Sequence, residues 1–231
     1  MPDIRSMSHA AFNRRLWIRG VILTVAVMLG ILIWWVLFEK EGVPVAKEKP
    51  IDLTPSYNGR TTESTTVRDS NSNPNTLEEL PLGENVFAGV RFSVSGLVQL
   101  NGRYPDRIEG IALRKKCRTL HLLHGTVAKM PDGTTIAKVV LRYVGGAQAE
   151  LEIRYGDHVI DWWQREADPP PGPHLKIAWN GQNSLTRREG ASLNIYLNSF
   201  PNPRPDEEIA SVDFVSANTR CWPFFLGLTV E

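Results

Sequence analysis

Cysteine is scarce in this 231-residue chain, with two residues, Cys117 and Cys221. Two thiols exclude a disulfide-dense scaffold and a four-cysteine zinc site. An excess of one charge is also lacking. The 26 Lys and Arg stand against 25 Asp and Glu, a net charge of +1, so no broad positive field exists for nucleic acid. There is no Gly-rich phosphate loop and no Walker pattern, which excludes the usual nucleotide-handling motifs. Beyond residue 40 no stretch of ten or more residues carries a helical apolar stripe. No cofactor, metal or catalytic residue is implied by what remains.

What is present begins with a single long apolar run, WIRGVILTVAVMLGILIWWVLF at 17–38. Gly20 to Phe38 holds no charge, and Thr24 is its one polar candidate. At about 1.5 Å per residue the run crosses a hydrocarbon core of roughly 30 Å. Trp17, Trp34 and Trp35 sit near its ends, where indoles favour the headgroup region. The run is longer than a signal-peptide core and is not followed by small residues, so an uncleaved anchor is expected. Arg14, Arg15 and Arg19 precede it, while Lys40, Lys47 and Lys49 follow among glutamates. The expected topology is a single-pass cell-membrane protein, with a short cytoplasmic tail (1–16) and an extracytoplasmic C-terminal bulk.

Residues 39–80 are rich in Pro, Ser, Thr, Asn and charge, with few apolar residues and no period. They read as a disordered linker, which as a random coil spans roughly 35 Å. Residues 81–231 suffice for one domain with a core. Their pattern is of period two, as in AELEIRY (149–155), SLNIYLNSF (192–200) and IASVDFVS (209–216). Turn signals fall at Asn101-Gly102, Pro131-Asp132-Gly133, Gly145-Gly146, Asn180-Gly181 and Pro201-Asn202-Pro203. The expectation is an all-β, jelly-roll-like antiparallel sandwich of about eight to ten strands. One hairpin has a readable register. A three-residue loop Gly145-Gly146-Ala147 pairs Leu141 with Leu151, Val139 with Ile153 and Arg142 with Glu150.

Three segments carry a resemblance: FSVSGLVQLNGRYPDRIEGIALRKKCRTLHLLHGT, VVLRYVGGAQAELEIRYGDHVIDWW and NPRPDEEIASVDFVSANTRCWPFFLGLTVE. Together they span nearly all of 87–231. They resemble an uncharacterised module of bacterial exported proteins, itself similar to galactose-binding and other carbohydrate-binding β-sandwiches. The resemblance implies the sandwich fold and assigns no activity. The tip Gly145-Gly146 departs from the module's Asp-Gly.

Candidate chemistry is concentrated in YGDHVIDWWQ (155–164), with Asp157, His158, Asp161, Trp162 and Trp163. A carboxylate beside an imidazole suits a general base, and a turn cap with one core Trp explains the run equally. Trp162, Trp163, Trp179 and Trp222 lie near loops or strand ends, and Asn180, Gln182 and Asn183 follow Trp179. Indole faces take sugar C–H faces and the amides would take hydroxyls; the plain alternative is core packing. His121 and His124, three apart on one strand, face opposite ways and cannot share a metal. Cys117 and Cys221 either form a disulfide, worth up to about 4–5 kcal/mol for a loop of about 100 residues, or are two buried thiols. Asp206, Glu207 and Glu208 either bind calcium or form a rigid acidic turn with Arg204. Three functions remain open: a membrane-anchored binding module, with a glycan as partner; a structural or regulatory partner of an envelope protein; and a hydrolase using the Asp157–Asp161 region.

Overall fold

Period-two patterning predicts strands, and strands dominate the described residues. The structure is a computed structural model that describes residues 48–64 and 75–231. The strands are β1 (Lys49–Ile51), β2 (Gly83–Phe87), β3 (Val90–Val94), β4 (Val98–Gln99), β5 (Arg107–Lys115), β6 (Thr119–Val127), β7 (Thr135–Tyr143), β8 (Gln148–Arg154), β9 (Trp163–Arg165), β10 (Ile177–Gly181), β11 (Ala191–Pro201), β12 (Ile209–Ser216) and β13 (Trp222–Val230). Among the described residues the one α-helix is α1 (Ser184–Glu189). The expected tail at 1–16 and anchor at 17–38 lie outside the described residues.

The strands form an all-β sandwich. A seven-stranded sheet runs β1-β13-β6-β11-β10, with β4 also on β13 and β9 also on β11. A four-stranded sheet runs β5-β12-β7-β8, and β2 pairs with β3 as a hairpin. Neighbouring strands pair antiparallel throughout. One apolar core lies between the two large sheets. There Leu120, Leu122, Tyr196 and Phe225 meet Val139, Leu141, Leu151 and Phe214, and Phe214 stacks on Phe225 with ring centroids 4.0 Å apart. The opposite face of the seven-stranded sheet carries a second core. Leu123, Ile195 and Phe224 pack there against Phe92 of the hairpin and against Leu77 and Leu80.

Leu77 and Leu80 belong to the stretch expected to be a linker, and so does all of β1. The disordered-linker reading of 39–80 is therefore corrected for its described parts, 48–64 and 75–80. β1 extends the seven-stranded sheet, with Lys49 opposite Val230 and Ile51 opposite Leu228. Pro50 is tolerated because β1 is an outer strand. Leu53 is only 1% exposed. The Tyr57 hydroxyl donates to Leu226 O at 3.0 Å, and the Asn58 amide brackets the backbone of Gln99 at 2.9 and 2.8 Å. The stretch has few apolar residues, but Ile51, Leu53, Leu77 and Leu80 are all buried.

The β7–β8 hairpin keeps the expected faces and shifts the expected register by two residues. Leu141 faces Ala149, Val139 faces Leu151, and Arg142 faces Gln148. The three-residue loop is Val144-Gly145-Gly146, closed by Tyr143 N–H donating to Ala147 O at 2.9 Å. Gly146 takes φ +84°, the left-handed conformation that such a loop needs. A shift of two preserves every facing, so alternation alone could not choose. Two outside contacts accompany the observed register. Val144 N–H donates to Glu208 O at 2.9 Å, and Arg142 turns to Asp213, with Nε at 2.7 Å and Nη2 at 2.6 Å from Oδ2. Asp213 is nearly buried and also accepts Gly110 N–H at 2.9 Å.

Candidate functional site

The chain leaving β8 builds a cleft of about 290 Å³. Tyr155, just after that strand, has its N–H on Thr134 O at 2.9 Å, and a tight turn closes with Gly156 N–H on Val159 O at 2.9 Å. The next residues thread between β6 and β11. Trp162 N–H donates to Thr126 O at 2.9 Å, and Trp162 O accepts Asn194 N–H at 2.8 Å. This clamp sends Trp162 into the second core, edge-on to Phe224 at 5.6 Å, with 1% exposure. Trp163, the next residue, is half-buried and lines the cleft with Tyr155. Trp162 is therefore wholly in the core, whereas Trp163 packs partly on that core and also lines the cleft. The run Pro169-Pro170-Pro171 forms the opposite wall, stiff because each ring fixes its φ.

Polar groups sit among these apolar walls. Asp161 is half-buried, and its Oδ1 accepts N–H bonds from Ala128 and Trp163, each at 3.3 Å. Burial raises its pKa above the usual carboxylate value, against the pull of those two N–H groups. Asp168 is held the other way. Its carboxylate accepts Arg165 N–H at 2.9 Å and pairs with Lys129 at 3.0 Å, and both contacts lower its pKa. The Gln164 amide donates to Pro169 O at 3.0 Å. His174 meets Gly156 O at 2.7 Å through Nε2. A carbonyl only accepts, so Nε2 carries the proton.

The remaining predicted residues go elsewhere. Asp157 is exposed, and neither it nor His158 lines the cleft. His158 accepts Arg154 N–H through Nδ1 at 2.9 Å and packs on Phe200 at 5.1 Å. Among the described residues no hydrogen bond joins it to Asp157, so the two do not form a carboxylate–imidazole dyad. Burial lowers its pKa, and Asp157 opposes that only in part. Trp179 is half-buried on β10, its ring folded over Gly181 of its own strand. Asn180 donates to Asn194 Oδ1 at 2.7 Å and Gln182 to Ala191 O at 3.0 Å. Asn183 is buried as the N-cap of α1, accepting Thr186 N–H at 2.9 Å. The amides expected to form a rim around Trp179 are thus engaged within the fold, and β11 separates that strand from β9.

His121 and His124 take separate partners. His121 Nδ1 lies 2.7 Å from Ser199 Oγ, and His124 Nε2 lies 2.6 Å from Asn198 Oδ1. Among the described residues no cluster of His, Cys, Asp or Glu is arranged to hold a metal ion. In the acidic turn, Glu207 pairs with Arg204 at 2.6 Å.

The disulfide alternative is corrected: Cys117 and Cys221 are two free, buried thiols. The terminal strand does return beside β6, but antiparallel, with Trp222 opposite Val127 and Val230 opposite Leu120. Cys221 therefore adjoins the end of β6 and Cys117 its start. Nine residues at about 3.3 Å each separate them by roughly 30 Å, far beyond bonding reach.

Sequence reasoning missed Lys129, Tyr155, Gln164, Asp168 and His174. The signal for half of that wall was DPPPGPH (168–174), a rigid run ending in a titratable ring. No protein-family model and no curated protein matches this chain significantly.

Proposed function

We propose that the chain is a membrane-anchored binding module, with a jelly-roll-like extracytoplasmic head that takes a glycan in the Trp163 cleft. One observation carries this reading: the partly buried Trp163 lines one concavity together with Asp161, Gln164 and the Lys129–Asp168 pair. A flat apolar face with directional polar groups around it is what a sugar ring requires. A volume of about 290 Å³ suits a single ring, at the small end of ligand pockets. The apolar run at 17–38 supports the anchor, and the arginines before it support the orientation. The hydrolase alternative loses support because Asp157 and His158 stay outside the cleft.

The test uses the full-length protein in neutral detergent. A glycan array selects ligands, and calorimetry then measures affinity for wild type, Trp163→Ala and Trp179→Ala. Trp163→Ala should weaken binding at least tenfold, while Trp179→Ala leaves it within twofold. Absence of any glycan bound at millimolar concentration, or equal losses in both variants, would overturn the reading.

A further inference from the structure

The sandwich has an open side where β1, an outer strand of the larger sheet, lies near β5, an outer strand of the smaller one. A cleft of about 530 Å³ occupies this seam, lined by Lys49, Ile51, Asp52, Ser56, Leu113 and Lys115 among others. The two lysines arrive from different sheets, and both line the cleft. Burial lowers the pKa of Lys115, and the neighbouring Lys49 lowers it further. Among the described residues neither lysine has an ion-pair partner. Asp52 is the one carboxylate lining the cleft, and it already accepts Thr54 N–H at 2.9 Å.

Two like charges held together oppose folding, and an oxyanion between them turns one repulsion into two attractions. Lysine suits that task as a point charge with rotatable donors. We infer that the β1–β5 seam is a binding site for a phosphate-type oxyanion, held between Lys49 and Lys115 with Ser56 beside them. The ligand is a phosphate ester or free phosphate; a lipid headgroup and the dissolved ion offer the same chemistry. The site is independent of the Trp163 cleft.

The probes are inorganic phosphate and glycerol 1-phosphate, titrated into the full-length protein in neutral detergent at constant ionic strength. Thermal unfolding and calorimetry provide the readouts. Phosphate should raise Tm relative to chloride, and Lys49→Gln or Lys115→Gln should weaken binding at least tenfold. In chloride alone Lys115→Gln should raise Tm, because it removes the repulsion. Lys115→Arg should keep the phosphate response. Glycerol 1-phosphate binding tenfold more tightly than phosphate identifies a headgroup ester as the source, and equal or weaker binding identifies the free ion. The inference is overturned if phosphate leaves Tm unchanged, or if both glutamine variants respond as wild type does.

Discussion

Replacing Leu53 with alanine separates a docked segment from a slack one. Leu53 follows β1 and is only 1% exposed in the core between the sheets. The change removes about three apolar carbons, worth ~2.4 kcal/mol at ~0.8 each. The cavity left behind adds to this, because a close-packed core relaxes only in part. The expected loss is about 2–5 kcal/mol. For a folded unit of this size each kcal/mol lowers Tm by roughly 2–4 °C, so Tm should fall by about 4–20 °C. The assay is thermal and urea unfolding of the full-length protein in neutral detergent, beside the exposed-site control Glu63→Ala. The control should stay within about 0.5 kcal/mol. If Leu53→Ala behaves like the control, residues 48–58 do not carry the sheet and the account of β1 is wrong.

Two further expectations concern titration. Burial holds His124 down at about 4, below its ordinary 6.5. Below about 6.5 the unfolded chain therefore binds a proton that the folded chain refuses until about 4. Stability should fall as pH drops through that window, by ~3 kcal/mol in total. His158, lowered by burial, acts in the same direction, whereas the raised pKa of Asp161 opposes it at the acid end. His124→Gln keeps a donor for Asn198 and should flatten the slope of urea-derived stability between pH 7 and 5; an unchanged slope would clear His124 of the effect. Burial also pushes both thiols up to about 11. A colorimetric thiol reagent should find neither in the native protein and both after denaturation without reductant. No thiol released on denaturation would mean that they are bonded.

The strands were legible because alternation survives wherever one face is buried. IASVDFVS, SLNIYLNSF and AELEIRY became β12, β11 and β8 almost as read. The divided fate of Trp162 and Trp163 was legible for the same reason. β1 was hidden because a short outer strand buries few side chains and its neighbours are polar, so the period has nothing to repeat. The β7–β8 register was hidden because registers two apart present identical faces, and contacts from Glu208 and Asp213 accompany the one observed. Asn183 reads as a solvent amide in sequence, yet its amide donates to Asn75 Oδ1 and Thr76 O, each at 2.9 Å. That bond spans more than a hundred residues, and nothing local announces it. The cleft was half legible: its aromatic side follows from alternation, while its proline wall and Lys129 arrive from other parts of the chain.

β13 is the hub of the larger sheet, bonding β1, β4 and β6. Glu231 completes it with backbone bonds to Arg118 and Thr119 at 2.6 to 3.1 Å. β13 follows all three in chain order, so a nascent chain lacks its organising strand until they have all been made. Products that stop short of β13 leave β1, β4 and one side of β6 as unsatisfied edges, so vectorial synthesis favours an open polypeptide until β13 emerges. Loss of residues 222–231 alone would leave three strands without their common neighbour.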